Sequence, residues 1–385
     1  VHWAISKDEA TSLVLEIAKN NHSRLVVKGK SMVSEEIGLN HFLKEHGIEA
    51  LESDLGEYII QVDQELPSHI IMPAIHKNKE EISDLFRVKV APSKKNDTAE
   101  EMTETARIIL REKFRNAGIG ISGVNFAVAE TGTLCLVENE GNGRFCTTLP
   151  KVHIALMGIE KVIGSLKDLP PLLSMLTRSA TGQPITTYFN MISRPRQKGE
   201  KDGPEEVHLI LLDHGRSKMY EDEILRDTLL CIRCGACMNH CPVYTRIGGH
   251  AYQSVYPGPI GKILTPQLEG IETAGYLADA SSLCGACVEV CPVKIPITDI
   301  LLKLRHQKAK SKKRYHWTEL NGAKNLFEQM TWKGWGFAFS QPWFYRIQAS
   351  LLIRLGKFLP EKLPILRNWC NSRSLPRFSE KPLHV

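Results

Sequence analysis

Seven of the ten cysteines fall in two short runs. The first is Cys231-Ile-Arg-Cys234-Gly-Ala-Cys237-Met-Asn-His-Cys241-Pro242, and the second is Cys284-Gly-Ala-Cys287-Val-Glu-Val-Cys291-Pro292. The first has the C-x2-C-x2-C-x3-C-P spacing that holds bacterial-type iron–sulfur clusters through soft thiolates. A tight turn lets three thiolates converge on one cubane, while the following helix carries the fourth to a neighbouring cluster. The repeat therefore predicts two clusters, of the [4Fe-4S] type, with crossed ligation. Cys231, Cys234, Cys237 and Cys291 serve the first; Cys241, Cys284 and Cys287 serve the second.

One position breaks the repeat. Three residues before Cys284, where a cysteine is due, stands Ser281. The second site thus has three thiolates, and its fourth ligand is open between the Ser281 oxygen, another residue, solvent, or none in a three-iron cluster. Paired C-x2-C steps also bind structural zinc. Two C-x3-C-P endings are not usual zinc spacing, which favours iron and sulfide.

The elements that must position these runs follow from composition and patterning. At 385 residues, with ordinary apolar and charged content, the chain suits two or three globular domains. Residues 1–215 alternate helical and strand patterns and predict an α/β domain with a mixed sheet. Helices are expected at Lys7–Asn20, from Ser34 (as hydroxyl cap), at Glu80–Val88 and at Ala99–Ala117. Strands are expected at Arg24–Lys28, Tyr58–Val62, His69–Met72, Val124–Ala129, Thr133–Glu138, Phe145–Thr148, Val152–Met157, Pro184–Met191 and Val207–Leu212. The Asn139–Gly143 turn would join two of these as a hairpin. Residues 216–306 form the cluster domain, with Tyr220–Leu230 as the helix delivering Cys231 and Thr298 capping a helix to about Arg305. Residues 307–385 form a basic, aromatic-rich C-terminal region, with an irregular end at Pro360, Pro364, Pro376 and Pro382.

Three look-alike motifs fail or weaken on context. Gly118-Ile-Gly120-Ile-Ser-Gly123 follows a helix and enters a strand, the reverse of a dinucleotide loop. Gly29-Lys30-Ser31 lacks the first glycine of a P-loop, since Arg24 stands there. Glu130, before Gly132 at a strand end, is a candidate nucleophile or ligand clamp, and a solvated turn is the stronger reading. His250 is a candidate ligand for the incomplete site, against the stronger reading of a loop or packing histidine.

Charge is unevenly placed. The net charge is +6, and from Lys303 onward 17 Lys/Arg face 4 acids. With Trp317, Trp332, Trp335, Phe337, Trp343 and Phe344 interleaved, this region suits partner docking first, a membrane surface second and nucleic acid last. The longest apolar run, Gly334–Tyr345, is too short to span a bilayer. Clustered metal-ligand cysteines and the absence of a basic-plus-apolar leader predict a cytoplasmic protein. The first residue is Val1 rather than methionine, as in a fragment or a processed chain.

These residues resemble the lactate utilization protein B family, iron–sulfur proteins of bacterial L-lactate oxidation. Besides the cysteine runs, the resemblance rests on Lys30–Glu36, Gly56–Ile60, Ile71–Lys77, Asn125–Gly132, Asn139–Asn142, Arg178–Gln183 and Gly248–Tyr252. It implies a lactate-utilization domain similar in fold to the sugar-phosphate isomerase and CoA-transferase superfamily, followed by a helical two-cluster ferredoxin domain. It also implies an electron carrier in a three-protein system that oxidises L-lactate to pyruvate. The implied partners are a cysteine-rich-domain iron–sulfur protein and a second lactate-utilization-domain protein. Within the family the second run also has three cysteines, which makes Ser281 a shared trait, and family members usually have further residues upstream of the point matching Val1. The reading from another class is an acyl- or CoA-type enzyme acting through Glu130, with the clusters structural or regulatory.

Overall fold

The computed structural model describes residues 1–311 and 322–356. The chain divides into two compact units, Val1–Lys313 and Arg314–Val385. The first unit opens with β1 (His2–Ala4), α1 (Lys7–Asn20), β2 (Leu25–Lys28), α2 (Met32–Glu36), α3 (Leu39–Glu45) and β3 (Glu49–Glu52). It continues through α4 (Leu55–Asp63), α5 (Lys79–Leu85), α6 (Ala99–Asn116), β4 (Ile119–Gly123), β5 (Phe126–Val128) and β6 (Thr133–Glu138). Then come α7 (Asn142–Thr148), β7 (Val152–Gly158), β8 (Val162–Ile163), α8 (Leu169–Thr181), β9 (Tyr188–Ile192) and β10 (Glu206–Leu212).

The expected α/β domain is present, and its strands divide between two sheets. Six strands in the order β1-β10-β7-β4-β2-β3 pair in parallel throughout. Four others, in the order β8-β5-β6-β9, form a smaller mixed sheet. Alternation along the strands gives each face of the large sheet its own core. Val26, Ile119, Ile121, Ile210 and Leu212 pack with α1 and α3. Val27, on the opposite face, packs with Phe114 and Ala117 of the α6 region. Ala155, Met157 and Leu211 meet Ala127 and Leu134 of the small sheet.

Local chemistry explains both the agreements and the differences. A capping box between Thr98 and Glu101 starts α6 where its periodicity begins. The α2 cap is Ser31, which accepts from Ser34 N, so Ser34 lies inside the helix rather than ahead of it. Tyr58–Val62 is helical, not extended, because Asp54 Oδ1 accepts from Gly56 N and Glu57 N and nucleates α4. Residues 69–72 form no strand: His69 Nδ1 accepts from Ile71 N and Met72 N and bends the chain. Phe145–Thr148 belongs to α7, whose first N–H groups are met by the Glu138 carboxylate at 2.6 and 2.7 Å. Gly120 is a packing glycine, since a Cβ there would stand 1.8 Å from Cys146 O on α7.

After β10 the chain becomes helical: α9 (Arg216–Tyr220), α10 (Ala236–Asn239), α11 (Pro242–Ile247), α12 (Gly258–Leu268), α13 (Ile271–Ala274), α14 (Ala286–Glu289) and α15 (Ile297–Lys310). Cys231 is delivered by a 3-10 segment, Leu225–Leu230, not by one helix from Tyr220. Thr298 lies within α15 and does not cap it. In the second unit, α16 (Gly322–Ser340) and α17 (Pro342–Gly356) form a helical pair, with Gln348 Nε2 donating to Ala338 O at 3.0 Å. Trp332, Trp335, Phe337 and Trp343 are exposed on it. No helix among the described residues is long and apolar enough to cross a membrane. Trp317 and the proline-rich end from Pro360 lie outside the described residues.

Candidate iron–sulfur centres

The two cysteine runs fold alike. Each places a left-handed residue before a cysteine and a left-handed glycine after it: Arg233 and Gly235 around Cys234, Leu283 and Gly285 around Cys284. A one-turn helix follows each, α10 and α14, and then a proline at Pro242 and Pro292. The alternating turn aims backbone N–H groups inward, as in an anion-binding nest. Arg233 N lies 3.4 Å from Cys231 Sγ, and Leu283 N donates to Ser281 Oγ at 3.2 Å. Ser281 therefore occupies the place in the second run that Cys231 occupies in the first.

The folded chain sorts the seven cysteines into two cavities. Cys231, Cys234, Cys237 and Cys291 line one, with Ile70, Ile260, Ile295 and Ile297. Cys241, Cys284 and Cys287 line the other, with Ser281, Ser282, Lys262 and Thr298. Each run thus sends its last cysteine to the cavity of the other. Glu130 and His250 line neither cavity. Glu130 is an exposed turn residue whose carboxylate accepts from Leu166 N at 3.2 Å. His250 is exposed and bonds Leu66 O.

The donor set fits an iron–sulfur group. Burial pushes the Cys234 thiol up to about 11 and the Cys237 thiol well above the ordinary thiol range. Such sulfurs are thiolates at neutral pH when a metal holds them. Backbone N–H groups also point at sulfur: Tyr244 N at 3.5 Å from Cys241 and Ile295 N at 3.4 Å from Cys291. Cys284 differs, being exposed, with its pKa lowered chiefly by the Ala286 N–H.

Most of the surrounding charges come from outside the cysteine runs; Arg233 lies within the first. Lys262, on α12, is 1% exposed; its Nζ stands 3.6 Å from Cys241 Sγ and 5.3 Å from the Tyr252 ring centroid. Burial lowers its pKa. In the sequence, only its position between the two runs hints at this role. Near the first cavity, Lys161 Nζ donates to Cys231 O at 2.8 Å, and burial brings its pKa down to about 8. Arg233 pairs with Glu160 at 3.4 Å and covers the Tyr256 ring. Fully buried Arg216 binds Glu160 at 2.6 Å and Glu36 at 2.9 Å, and Tyr256 donates to Glu36 at 2.7 Å. This network sews the α/β half to the cysteine region.

A third, larger cavity of about 270 Å³ opens beside the network, lined by Lys30, Asp54, Asn125, Glu138, Lys161 and Arg233 among others. The Gly29-Lys30-Ser31 look-alike lies on its wall.

Three families of known proteins match successive stretches of the chain. Residues 1–212 match the LUD domain, 227–295 the 4Fe-4S dicluster domain, and 303–385 the C-terminal domain of lactate utilisation protein B. The fold and the cysteine sites therefore define an iron–sulfur protein built on a LUD domain. The chain is 45% identical to lactate utilization protein B of Bacillus cytotoxicus over 99% of its own length and 79% of that protein's. It is also 45% identical, over 98% and 78%, to an uncharacterized electron transport protein, YkgF, of Escherichia coli. The chain belongs to the lactate utilization protein B family. A solved DUF162 family protein from Deinococcus radiodurans is a distant likeness, with 13% identity and a TM-score of 0.30 over 55% of this chain and 88% of that one.

Proposed function

We propose that the protein is an electron carrier in the oxidation of L-lactate to pyruvate, holding two [4Fe-4S]-type clusters. Cys231, Cys234, Cys237 and Cys291 would ligate the first, and Cys241, Cys284 and Cys287 the second. The observation that carries this reading is the crossed sorting of seven cysteines into two cavities that share α12 as a wall. Each cluster, when bound, exchanges one electron, and lactate oxidation releases two. Two adjacent one-electron sites suit that stoichiometry.

The chain's own residues set the conditions at each site. Isoleucines line the first, and Lys262 places a buried cation against the second. The relatives' names supply lactate. The proposed partners are a cysteine-rich-domain iron–sulfur protein and a second LUD-domain protein, with the exposed aromatic and basic C-terminal region as a docking surface. Acyl chemistry through Glu130 finds no support in an exposed turn residue that lines none of the three cavities described above.

Anaerobic purification with iron and sulfide counting and EPR tests this reading. The expected protein is brown and bleaches with dithionite, and in the complete complex it is reduced by lactate. Stoichiometric zinc without sulfide overturns it, and so does failure of lactate to reduce the complex.

A further inference from the structure

Away from the cysteines, Glu65, His76 and His250 each bring one ligand atom to a common point, all three atoms within 4.8 Å of one another. Glu65 and His76 flank the bend after α4, in the α/β half. His250 comes from the Gly248–Tyr252 stretch of the cysteine region. We infer that these three side chains form a surface zinc site that clips the two halves of the first unit together.

The outer contacts of the histidines are those of metal ligands. A ligating histidine gives its other ring N–H to a carbonyl, hydroxyl or carboxylate, which fixes ring and tautomer. His250 Nε2 faces Leu66 O at 2.7 Å, so Nε2 carries the proton and Nδ1 keeps its lone pair. His76 Nδ1 lies 2.8 Å from Ser68 Oγ, whose own hydroxyl proton goes to Pro73 O at 3.1 Å. In the tautomer protonated at Nδ1, the Ser68 oxygen accepts from Nδ1–H and His76 Nε2 turns a lone pair toward Glu65 Oε2, 2.7 Å away. Two acceptors at that distance need a cation or a proton between them. A proton would satisfy the pair alone. It would give no role to the His250 ring, packed edge-on to His76 at 4.3 Å.

The approach of the two segments is built rather than incidental. A Cβ on Gly249 would stand 1.8 Å from Ser68 O, so only glycine lets the loops touch. Tyr244 Oη donates to the same carbonyl at 2.7 Å. Lys77 Nζ also reaches Glu65 Oε2, at 3.0 Å, and Asp63 at 2.6 Å, an acid it shares with Lys89.

Two imidazoles and one carboxylate suit zinc, with water as the fourth ligand on the exposed side. Zinc bonds of about 2.0–2.1 Å space tetrahedral ligands about 3.3 Å apart. Glu65 therefore turns slightly outward and His250 closes in.

The test uses cluster-loaded protein, chelator-washed, equilibrated with zinc, desalted and analysed by mass spectrometry. About one zinc per chain is expected. His250→Ala abolishes it, with iron and sulfide contents unchanged, and Glu65→Gln weakens it about tenfold or more. His208→Ala, which removes a second close histidine pair, with His2, leaves the stoichiometry intact. His76→Ala is a second variant for loss, read in the same way. No retained zinc overturns the proposal, as does equal retention by the wild-type protein and His250→Ala.

Discussion

The first cysteine cavity is walled by apolar side chains and offers four thiols; the second offers three thiols, two serines, a threonine and a buried lysine. Their backbones are near copies, down to the left-handed residues and the inward N–H groups. The difference lies in what fills equivalent places. Cys231 and Ser281 both hold a backbone N–H two residues on, yet one offers a thiol and the other a hydroxyl. Ile260 of α12 faces the first cavity, while Lys262, two residues later, faces the second. One scaffold thus presents two environments, which on the proposed reading would give the two clusters different potentials.

The sharpest way to break this comparison is to remove one thiol from each cavity. Cys291→Ser belongs to the second run but should remove the first cavity's cluster, with about half the iron lost. EPR should then keep only the signal that Cys241→Ser abolishes. If Cys291→Ser instead abolishes the same signal as Cys284→Ser, the crossed sorting fails. A milder change is Ser281→Cys. It should add a fourth thiolate to the second cavity and suppress any three-iron signal after brief air exposure, leaving the first cluster's spectrum untouched.

Lys262→Met should have the smallest effect. Removing a buried cation beside Cys241 Sγ disfavours the added electron, so the second cluster's midpoint should fall by on the order of 60 mV, a tenfold change for a one-electron couple. EPR-monitored redox titration checks it. An equal shift in both clusters would mean that Lys262 acts on α12 as a whole and not on one cavity.

The cysteine runs were legible because their chemistry lies in the spacing of a few neighbouring residues. So were α1 and α6, long amphipathic elements with Ser6 and Thr98 as caps. Short apolar runs misled: Tyr58–Val62 reads equally as strand or helix until Asp54 is seen to cap it. The Glu138 carboxylate made a helix of an expected hairpin. Buried charges were invisible for another reason. Arg216 draws its partners from Glu36 and Glu160, and Lys262 rests on Cys241 and Tyr252, groups that only the fold brings together.

Ile70 has a consequence for handling and for evolution. This residue belongs to the α/β half, in the bend that His69 ties, yet it closes the wall of the first cysteine cavity and has no counterpart in the second. Cutting the chain ahead of the cysteine runs would keep all seven cysteines but remove Ile70 from the wall of that cavity. On the two-cluster reading, the shortened protein should lose the first cavity's cluster to air faster than the full chain does. The LUD domain thus supplies part of the wall of that cavity.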